Sequence, residues 1–538
     1  MSITRRSFLC SLMATTAIAR TNFAENKRKP GANRPNIIVI MADDMGFSDV
    51  GCYGSEIKTP NIDQLASSGL RFTQFYNCAR CCPSRASLLT GLDNHAAGVG
   101  DMIDDMGTAN YEGYLNKHCV TIAEALQPTG YHPLMVGKWH VGENQGHWPI
   151  DRGFERYFGL ISGACNYFRL DPGRKMALEN KPYVPDSKDF YMTDAFTDHA
   201  VDLLDDYGRR ENPYFLYLAY TAPHWPLQAH PDDIAKYKGD YDKGWDRLRA
   251  ERHQHQIDMG LAEAGWELTA RDSTVPAWDD AKNKAELERR MEVYAAQIDR
   301  MDQGIGRVLQ KVRDLGQEEN TLVLFLADNG ACHEVVERGK PGAVTGTPDS
   351  FASYGRGWAN ASNTPFRLYK HWVHEGGIAA PLIVRWPRQI KRHGEFFREP
   401  AHISDIMPTV LELAEGTYPQ TYRGNSILPM AGKSLVPIFR GEAWSGHGPM
   451  YWEHEGNRAV RHGKWKLVSR YPDKWELYDM KADRSEIYDL AAKEPERLKE
   501  MTALYEAWAK RMKIMPATEL FKNQHQHQLD RMKSLGRS

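Results

Sequence analysis

Two uninterrupted apolar segments, each followed at once by oxygen-bearing side chains, constrain the fold of this chain most. The segment PNIIVIMA leads into Asp43 and Asp44, and the segment TLVLFLA leads into Asp328 and Asn329. Such runs are typical of strands that are buried on both faces of a parallel sheet. A single Asp after a strand often forms a turn, but two adjacent carboxylates beside a buried strand repel each other unless a cation lies between them. The repeated pattern therefore indicates a site of hard oxygen ligands.

Strand and helix patterns alternate along most of the chain. Residues 131–136 and 214–220 have the composition of buried strands, and residues 286–315 carry a helical apolar stripe. This alternation predicts an α/β fold with a sheet between two helical layers. Residues 450–490 mix aromatic and charged residues in short runs, which predicts antiparallel hairpins, and residues 494–512 read as a helix that packs against them.

Basic and imidazole side chains follow the other two predicted strands. Lys138 and His140 are two positions apart just after one strand, so in extended chain they point the same way. His224 follows the next strand between two prolines, which fix its backbone. Most isolated Lys-x-His pairs are solvated, and many strand-end histidines are simply hydrogen-bonded core. Because ligands of α/β sheets bind beyond the carboxyl ends of strands, these residues are nevertheless candidates for one crevice with the acidic pairs.

Cys81 is expected to begin a helix in the stretch CCPSRASLLTG. Pro83 suits a first helical turn, and Arg85 lies one turn beyond Cys81 on the same side. The free N–H groups of a helix start attract anions. The plain alternative is a small buried Cys and a surface Arg. A phosphatase-like thiolate loop is disfavoured because Cys78 and Arg85 are seven residues apart without glycine, and a zinc site because Cys78-x-x-Cys81 has no partner pair.

The same stretch matches the pattern Cys-x-Pro-Ser-Arg-x-x-x-Leu-Thr-Gly, and in it the sequence resembles the type I sulfatases, a branch of the alkaline phosphatase superfamily. The resemblance covers nearly the whole mature chain, with six motifs in family order. It implies a three-layer, alkaline-phosphatase-like α/β sandwich with a smaller antiparallel C-terminal subdomain. It also implies that a formylglycine-generating maturation enzyme oxidises Cys81. Cys82 fills the variable position and puts a second thiol beside the modified one.

The resemblance assigns site residues at positions that match the family pattern. The implied ligands of one divalent cation, calcium with magnesium as the alternative, are Asp43, Asp44, Cys81, Asp328 and Asn329. The implied catalytic residues are Cys81, Arg85, Lys138, His140, His224 and Lys370. Lys370 enters this set because it precedes the Glu-Gly-Gly sequence that begins at Glu375.

The implied reaction is hydrolysis of a sulfate monoester. One hydroxyl of an aldehyde hydrate displaces the alcohol from sulfur, and the other expels sulfate as the aldehyde re-forms, which Ser or Cys could not do. The cation would polarise the sulfate, and the basic side chains would balance the developing charge. Asp328 is the candidate base, and His140 would assist collapse of the sulfated hydrate. Either His224 or Lys370 would protonate the leaving oxygen, and the sequence leaves this choice open.

The N-terminus looks like a twin-arginine export signal. Arg5 and Arg6 precede an apolar run, residues 8–19, that is too short to span a bilayer. We therefore expect an exported protein, periplasmic or secreted, that uses the twin-arginine machinery and has no membrane span. The net charge of −2 and the interspersed charges give no indication of nucleic-acid binding.

The expected domain organisation follows from these patterns. A signal peptide occupies residues 1–24 and a polar linker residues 25–34. The catalytic domain spans residues 35–444 and contains an insertion, about residues 230–282, that we expect to cover the site. The C-terminal subdomain of antiparallel sheet plus helix spans residues 445–538.

Two other functions remain open at the level of sequence. A phosphonate monoester or phosphodiester hydrolase could use the same formylglycine, since the charged site would also hold a phosphoryl group. If Cys81 stays unmodified, the chain could be a non-catalytic protein that binds sulfated glycans. The group most similar in motifs is arylsulfatase-like, but an aryl sulfate or a sulfated carbohydrate could be the substrate, because pocket walls and not the sulfate site set that choice.

Overall fold

The structure is a computed structural model that describes residues 34–263 and 266–534. The signal peptide predicted at residues 1–24, and all but the last residue of the linker predicted at 25–34, lie outside the described residues. Within the described part of the chain, no helix combines the length and apolar character that a membrane span requires. The seven cysteines of this part are free thiols.

A mixed sheet of eleven strands forms the centre of the described chain. Its strands are β1 (Asn36–Ala42), β2 (Leu70–Tyr76), β3 (His132–Gly137), β4 (Arg156–Leu160), β5 (Met176–Leu178), β6 (Lys181–Tyr183), β7 (Tyr214–Ala219), β8 (Thr321–Ala327), β9 (Ala379–Arg385), β10 (Glu395–Phe397) and β11 (Ala401–His402). The spatial order is β10-β2-β9-β8-β1-β7-β3-β4-β5-β6, and β11 also pairs with β2.

The middle of this sheet is parallel, as the apolar segments predicted. In the register of β1, Ile38 pairs with Val323 of β8 on one side and with Leu216 of β7 on the other, and β7 runs parallel to β3. The carboxyl ends of β8, β1, β7 and β3 therefore meet at one edge of the sheet. Strand β9 is antiparallel to both of its neighbours, β8 and β2.

Helices cover both faces of the sheet. The α-helices of the described residues are α1 (Pro60–Ser67), α2 (Cys81–Thr90), α3 (Ile122–Leu126), α4 (Met192–Tyr207), α5 (Pro231–Ala235), α6 (Gly244–Asp258), α7 (Lys284–Asp314), α8 (Gly355–Ser362), α9 (Glu375–Ile378), α10 (Ile406–Leu413), α11 (Val436–Phe439), α12 (Pro495–Arg511) and α13 (Ala517–Ser534). Ile38 and Ile40 of β1 pack with residues of α1, α4 and α7, whereas Ile37 and Val39 pack with residues of α2, α3 and α10. This alternation gives the predicted three layers.

Two smaller sheets follow the large sheet along the chain. Strands β12 (Thr421–Tyr422) and β13 (Asn425–Ser426) form a short antiparallel pair. The four-stranded antiparallel sheet consists of β14 (Met450–His454), β15 (Asn457–His462), β16 (Trp465–Ser469) and β17 (Glu476–Asp479). Side chains of α12, including Met501 and Trp508, pack on Val460, Leu467 and Leu477 of this sheet, as the sequence predicted.

A buried charge network joins the small sheet to the large one. Glu375, at the start of α9, accepts hydrogen bonds from Lys466 at 2.8 Å, from Arg484 at 3.0 Å and from Tyr76 at 3.0 Å. Glu486 pairs with the same Lys466 at 2.7 Å. We call these five residues the Glu375 network.

Candidate active site

The loops after β1 and β8 are held together by their own polar groups. The backbone N–H of Asp44 donates to Oδ1 of Asp328 at 3.1 Å, and Nδ2 of Asn329 donates to Oδ1 of Asp44 at 2.7 Å. All three side chains are at most 1 % exposed. The two strand ends that the sequence singled out therefore meet at one point.

Arg85 and Lys138 neutralise part of this acidic cluster. The guanidinium Nη2 of Arg85 lies 2.7 Å from Oδ2 of Asp328 and 3.6 Å from Oδ1 of Asp43, and its Nη1 donates to the carbonyl of Lys138 at 2.9 Å. Lys138 Nζ donates to Oδ2 of Asp43 at 2.6 Å. Since these side chains are fully buried, the ion pairs are little screened by solvent.

Lys370 and His224 reach the same cluster from the other side. Lys370 Nζ donates to Oδ2 of Asp44 at 2.7 Å and lies 3.4 Å from Nε2 of His224. His224 Nδ1 is 2.6 Å from the carbonyl of Trp225, which can only accept, so Nδ1 carries a proton, and Nε2 lies 3.2 Å from Oδ2 of Asp44. Burial lowers the pKa of His224 to about 4, which makes the ring neutral at physiological pH. We call Asp43, Asp44, Arg85, Lys138, His224, Asp328, Asn329 and Lys370 the strand-end cluster.

Cys81 begins α2, as predicted, and its thiol faces His140. The Sγ atom lies 3.4 Å from Nδ1 of His140, and Sγ of Cys82 lies 3.4 Å from the same nitrogen. A hydrogen bond with Cys82 lowers the pKa of the Cys81 thiol, burial opposes it, and the charge of Lys138 adds to the lowering, so that the pKa falls well below its ordinary value. Burial lowers the pKa of His140 as well. Residue 81 thus lies where negative charge is stabilised.

A glycine allows β3 to deliver Lys138 to the cluster. Gly137 has φ of +112°, and a Cβ atom there would lie 1.9 Å from the carbonyl oxygen of Ala219. The backbone N–H of Lys138 donates to that same oxygen at 2.7 Å. A side chain at residue 137 would push the two strand ends apart, so the glycine before Lys138 is a requirement of the site geometry.

The donor set of the cluster fits a hard divalent cation. Among the described residues, Oδ1 of Asp43 and Oδ1 of Asn329 are buried oxygens that have no hydrogen-bond partner. Asp43, Asp44 and His224 offer ligand atoms within 4.8 Å of one another. Buried oxygens without a donor are costly unless a cation satisfies them, and oxygen ligands are what calcium and magnesium prefer.

The pKa shifts of the three carboxyl groups in the cluster also favour a bound cation. Burial, then the charge of Asp43, raises the pKa of Asp328 to about 7, and burial raises the pKa of Asp43 although Lys138 opposes it. Burial also acts on Asp44, but His224 and Lys370 outweigh it and the pKa is lowered. Two of the three carboxylates are thus unfavourable as anions in the absence of a further positive charge.

The structure brings every predicted site residue to this region, with one difference in detail. Both carboxylate oxygens of Asp328 are already engaged, Oδ1 by the N–H of Asp44 and Oδ2 by Arg85. Asp328 also lies outside the group of Asp43, Asp44 and His224, whose ligand atoms are within 4.8 Å of one another, although the sequence placed it in the ligand set as an equal. Its engagement is not the reason, since both oxygens of Asp44 accept hydrogen bonds as well. Its ligand role and its role as a base remain predictions.

Three residues beside the cluster were not assigned a role from the sequence. Arg80 Nη2 pairs with Oε1 of Glu334 at 3.1 Å, and Nε1 of Trp225 donates to Oε2 of Glu334 at 2.9 Å. Burial acts on Glu334, but the charges of Lys370 and Arg80 outweigh it and lower its pKa, so the carboxylate is ionised. Arg80 and Trp225 are direct neighbours of Cys81 and His224 in the chain, which is the signal that could have found them; Glu334 has no such signal.

The insertion supports the loop that carries Asp44. Arg252 of α6 pairs with Oδ1 of Asp49 at 2.7 Å, and Oδ2 of Asp49 accepts from the hydroxyl of Tyr294 at 2.7 Å. That hydroxyl lies 3.4 Å from the carbonyl of Asp44. This supporting contact was not predicted; the expectation that the insertion also covers the site stays a prediction.

Comparison with protein families gives two matches. A model described as Sulfatase matches residues 35–417, and one described as N-sulphoglucosamine sulphohydrolase, C-terminal, matches residues 366–513. Among individual proteins, the chain is 37 % identical over 495 residues to an uncharacterised sulfatase of Schizosaccharomyces pombe, covering 81 % of this chain and 86 % of the relative. It is 34 % identical over 429 residues to an arylsulfatase of Klebsiella aerogenes, covering 75 % and 92 %.

A solved structure has the same fold. The crystal structure of Ps i-CgsB superposes with a TM-score of 0.65 at 28 % identity and covers 88 % of this chain and 93 % of that chain. A second crystal structure of Ps i-CgsB, in complex with k-i-k-neocarrahexaose, gives the same TM-score at 27 % identity.

Proposed function

Because the chain belongs to the sulfatase family and is a sulfatase that hydrolyses sulfate esters, we propose that it acts through residue 81 as formylglycine and one divalent cation, calcium by preference. The observation that carries this proposal is that Cys81, buried at the start of α2, lies close enough to the strand-end cluster for the charges of Lys138 and Lys370 to lower its pKa and for its own charge to raise the pKa of Asp43. Seven of the cluster's eight side chains carry charge or metal-ligating oxygen, and the eighth is a neutral imidazole.

The cation would be held by Asp43, Asp44 and Asn329, with Asp328 and residue 81 completing the ligand set. The two unpartnered oxygens, Oδ1 of Asp43 and Oδ1 of Asn329, support this assignment. When bound, the cation supplies Lewis-acid polarisation of the sulfate oxygens and lowers the pKa of a hydroxyl on residue 81. Oxygen donors favour calcium or magnesium over softer metals.

Formylglycine at residue 81 would supply a hydrated aldehyde, a nucleophile that releases sulfate without a second attack at sulfur. In the unmodified chain, the Sγ atom of Cys81 occupies the position that the oxygen atoms of the hydrated formylglycine would take. His140 lies 3.4 Å from it and is neutral because burial lowers its pKa, so His140 can accept a proton from a hydroxyl there. Arg85 and Lys138 hold positive charge against the sulfate that binds at the helix start.

Lys370 is the better candidate for protonating the leaving oxygen. Burial disfavours its charge, but the charges of Asp44, Cys332 and Glu334 together outweigh it and the pKa of Lys370 is raised well above its ordinary value, so the ammonium is present. His224 is neutral, with its ring proton committed to the carbonyl of Trp225 and its Nε2 available to accept from Lys370. We therefore assign proton donation to Lys370 and its orientation to His224.

The proposed substrate is a sulfate monoester of an aryl alcohol or of a carbohydrate. The Klebsiella aerogenes relative is named an arylsulfatase, whereas the Ps i-CgsB structure is a complex with k-i-k-neocarrahexaose. We also propose export through the twin-arginine pathway, on the evidence of Arg5, Arg6 and the short apolar run after them. Replacing both arginines with lysine should leave the precursor in the cytoplasm, which cell fractionation would detect.

Turnover of matched esters tests the reaction. The protein, produced together with a formylglycine-generating enzyme, should hydrolyse 4-nitrophenyl sulfate faster than 4-nitrophenyl phosphate. A preference for the phosphate, or for a phosphodiester, would replace the sulfatase assignment with the phosphohydrolase alternative. The Cys81→Ala variant should keep its thermal unfolding midpoint and lose turnover, and retained turnover would exclude the covalent scheme.

A further inference from the structure

Five partly exposed side chains adjoin the buried strand-end cluster. They are those of Arg80, Trp225, Glu334, His371 and Glu455, and we call them the rim. Three of them are chain neighbours of residues 81, 224 and 370, to which we have assigned roles in the reaction. The side chains of Glu334, His371 and Glu455 are 26 %, 23 % and 20 % exposed, whereas that of Lys370 is only 2 % exposed. The rim is therefore the more accessible part of this region.

Contacts of His371 connect the two segments that carry residue 81 and Lys370. The backbone N–H of His371 donates to the carbonyl of Ala79 at 2.8 Å, so the segment after Lys370 lies beside the segment before residue 81. The ring Nδ1 of His371 lies 3.0 Å from Oε2 of Glu455, in the turn between β14 and β15. The four-stranded sheet therefore contributes Glu455 to the surroundings of Lys370.

Glu334 connects the other part of the rim to His224. It accepts from Nη2 of Arg80 at 3.1 Å and from Nε1 of Trp225 at 2.9 Å. The ring centroids of Trp225 and His224 are 4.5 Å apart, and Nε2 of His224 lies 3.4 Å from Nζ of Lys370. An alcohol that takes its proton from Lys370 therefore leaves the ester next to the rim.

The two hydrogen bonds to the Glu455 carboxylate come from neutral groups. The Oδ1 atom of Asn457 accepts from the N–H of Tyr471 at 3.1 Å, so Nδ2 of Asn457 is the atom that lies 3.2 Å from Nε2 of His371. That nitrogen accepts, and the proton of the neutral ring is on Nδ1, which donates to Glu455. The second donor is the amide of Gln524, at 3.1 Å from Oε1. Burial opposes the charge of Glu455, but the hydrogen bond from His371 leads the effects that lower its pKa, so the carboxylate is ionised.

A second carboxylate lies beside Glu455 and adds to this negative charge. Nε2 of Gln524 also donates to Oδ2 of Asp101 at 3.0 Å, so one amide holds both carboxylates. Burial, then the charge of Glu455, raises the pKa of Asp101 to about 6. Gln524 belongs to α13, which begins after residue 513, where the second family match ends. Helix α13 thus fixes the position of Glu455 from outside the matched residues.

The chemistry of the rim suits a neutral alcohol with several hydroxyls. Each oxygen of Glu455 accepts one hydrogen bond from the protein and can accept another from a hydroxyl of a ligand. An aryl group has no such hydroxyl to offer. The guanidinium of Arg80 is already paired with Glu334, so an acidic sugar would meet the charge of Glu455, and like charges brought together are strongly unfavourable.

We propose that the rim binds the alcohol part of the ester and selects a neutral sugar monosulfate. Glu455 accepts hydrogen bonds from the sugar hydroxyls, and Gln524 of α13 acts as a positioning residue that holds Glu455 in place. The assignment rests on the proposed function and narrows its substrate to a sugar whose single charged group is the sulfate that is removed.

Rates on matched pairs of sugar sulfates test this proposal. The full chain, produced together with a formylglycine-generating enzyme, is assayed with the 3-, 4- and 6-sulfates of galactose. The anionic counterparts are galactose 2,6-disulfate for the 6-sulfate and the 3- and 4-sulfates of galacturonic acid for the others. We expect at least one neutral monosulfate to be hydrolysed with a kcat/KM about tenfold or more above that of its counterpart, the effect of one like-charge contact.

Two variants separate selection by the rim from a structural role. Glu455→Gln should lower the ratio of neutral to anionic kcat/KM about tenfold, mainly through KM, because the repulsion of the anionic sugar is removed. Gln524→Ala should lower kcat/KM for the neutral sugar about threefold or more relative to that for 4-nitrophenyl sulfate, since Glu455 loses one hydrogen bond that positions it. Gln528→Ala, at an exposed position one turn further along α13, is the matched control and should leave both ratios unchanged.

The outcomes distinguish this inference from the proposed function. Hydrolysis of 4-nitrophenyl sulfate without turnover of any neutral monosulfate would overturn the inference and leave the proposed function standing. A preference of the parent chain for the anionic counterparts, or the same ratio in Glu455→Gln as in the parent chain, would also overturn it. If none of the esters is hydrolysed, the proposed function fails and the inference fails with it. Thermal unfolding shows whether each variant is folded, and Gln524→Ala decides the outcome if Glu455→Gln is not.

Discussion

Glu375 and Asp43 are both fully buried carboxylates beside buried cations, yet their pKa values move in opposite directions. Burial acts to raise the pKa of Glu375, but Lys466 and Arg484 outweigh it and the pKa is lowered to about 2. At Asp43 burial outweighs Lys138 and Arg85, and the neighbouring charge of Asp44 adds to it, so the pKa is raised.

The difference lies in how completely each carboxylate is satisfied. Both oxygens of Glu375 accept hydrogen bonds, from Lys466 on one side and from Tyr76 and Arg484 on the other. Only one oxygen of Asp43 does, since Oδ1 has no hydrogen-bond partner. The Glu375 carboxylate is fully satisfied within the protein, whereas the strand-end cluster lacks positive charge. The Glu375 network therefore has the features of a structural ion-pair network, and the strand-end cluster has those of a ligand-binding site.

The largest expected effect separates the two clusters by activity. Asp43→Asn removes a proposed cation ligand and should lower kcat/KM for 4-nitrophenyl sulfate by about 10³-fold or more, since the charge developing on sulfate loses its main stabilisation. Its thermal unfolding midpoint should fall little or rise. An active Asp43→Asn variant would show that the unsatisfied carboxylate of Asp43 has no role in catalysis, and the functional difference between the two clusters would then be contradicted.

Glu375→Gln should show its main effect in stability. The change leaves Lys466 and Arg484 buried with one fewer anion, and breaking a buried ion pair costs about 3–5 kcal/mol. Urea titration followed by tryptophan fluorescence measures this loss, and Tyr76→Phe, which removes only a neutral hydrogen bond, is the matched control. A loss below about 1 kcal/mol would show that the network contributes little.

Calcium should stabilise one cluster and leave the other unaffected. At a calcium concentration of about 100 times Kd, binding adds about 2.7 kcal/mol to the free energy of unfolding, and EDTA should remove it. The Glu375→Gln variant should keep this calcium-dependent shift in the unfolding midpoint, and Asp43→Asn should lose it. An equal shift in both variants would place the cation elsewhere.

The last expected effect is a pH dependence at Asp328. Its pKa is about 7 in the folded chain against 3.8 unfolded, so the folded state holds the proton more tightly and this contribution to stability is lost as pH rises from about 4 to about 7. In EDTA, the parent chain should therefore lose stability relative to Asp328→Asn over this range. Buried neutral histidines contribute to both proteins and cancel in the difference. A difference that stays constant with pH, or that grows in favour of the parent chain, would contradict the account.

Much of the fold could be predicted because its central elements have strong local patterns. Strands β1, β3, β7 and β8 are continuous apolar runs, and α7 carries a clear helical stripe, so their existence follows from burial alone. The direction of β9 has no local signature. Its antiparallel course between β8 and β2 depends on which edges remain to be paired after the parallel strands assemble.

The elements that the sequence missed are short or polar. Strand β4 has five residues in a stretch rich in glycine and aromatics without a clear period, and β5 and β6 have three residues each. Helix α13 was missed because its sequence is mostly polar; Leu520 is its main buried anchor, packed with Met106, Tyr111 and Met515.

The site residues that come directly after a strand could be predicted from the sequence. Asp43, Asp44 and Lys138 come within two residues of a strand, so sheet topology alone brings them together. The contact of Glu334 with Arg80 and Trp225 could not be predicted, since it depends on the path of an irregular loop. The ion pair between Asp328 and Arg85 could not be predicted either.

The mass of the peptide that contains residue 81 tests the central claim most directly. After production together with a formylglycine-generating enzyme, we expect this peptide to be lighter than its cysteine form by about 18 Da, and the lighter fraction to rise in step with the rate of sulfate ester hydrolysis. Protein that hydrolyses the ester at full rate while Cys81 remains an unmodified thiol would contradict it.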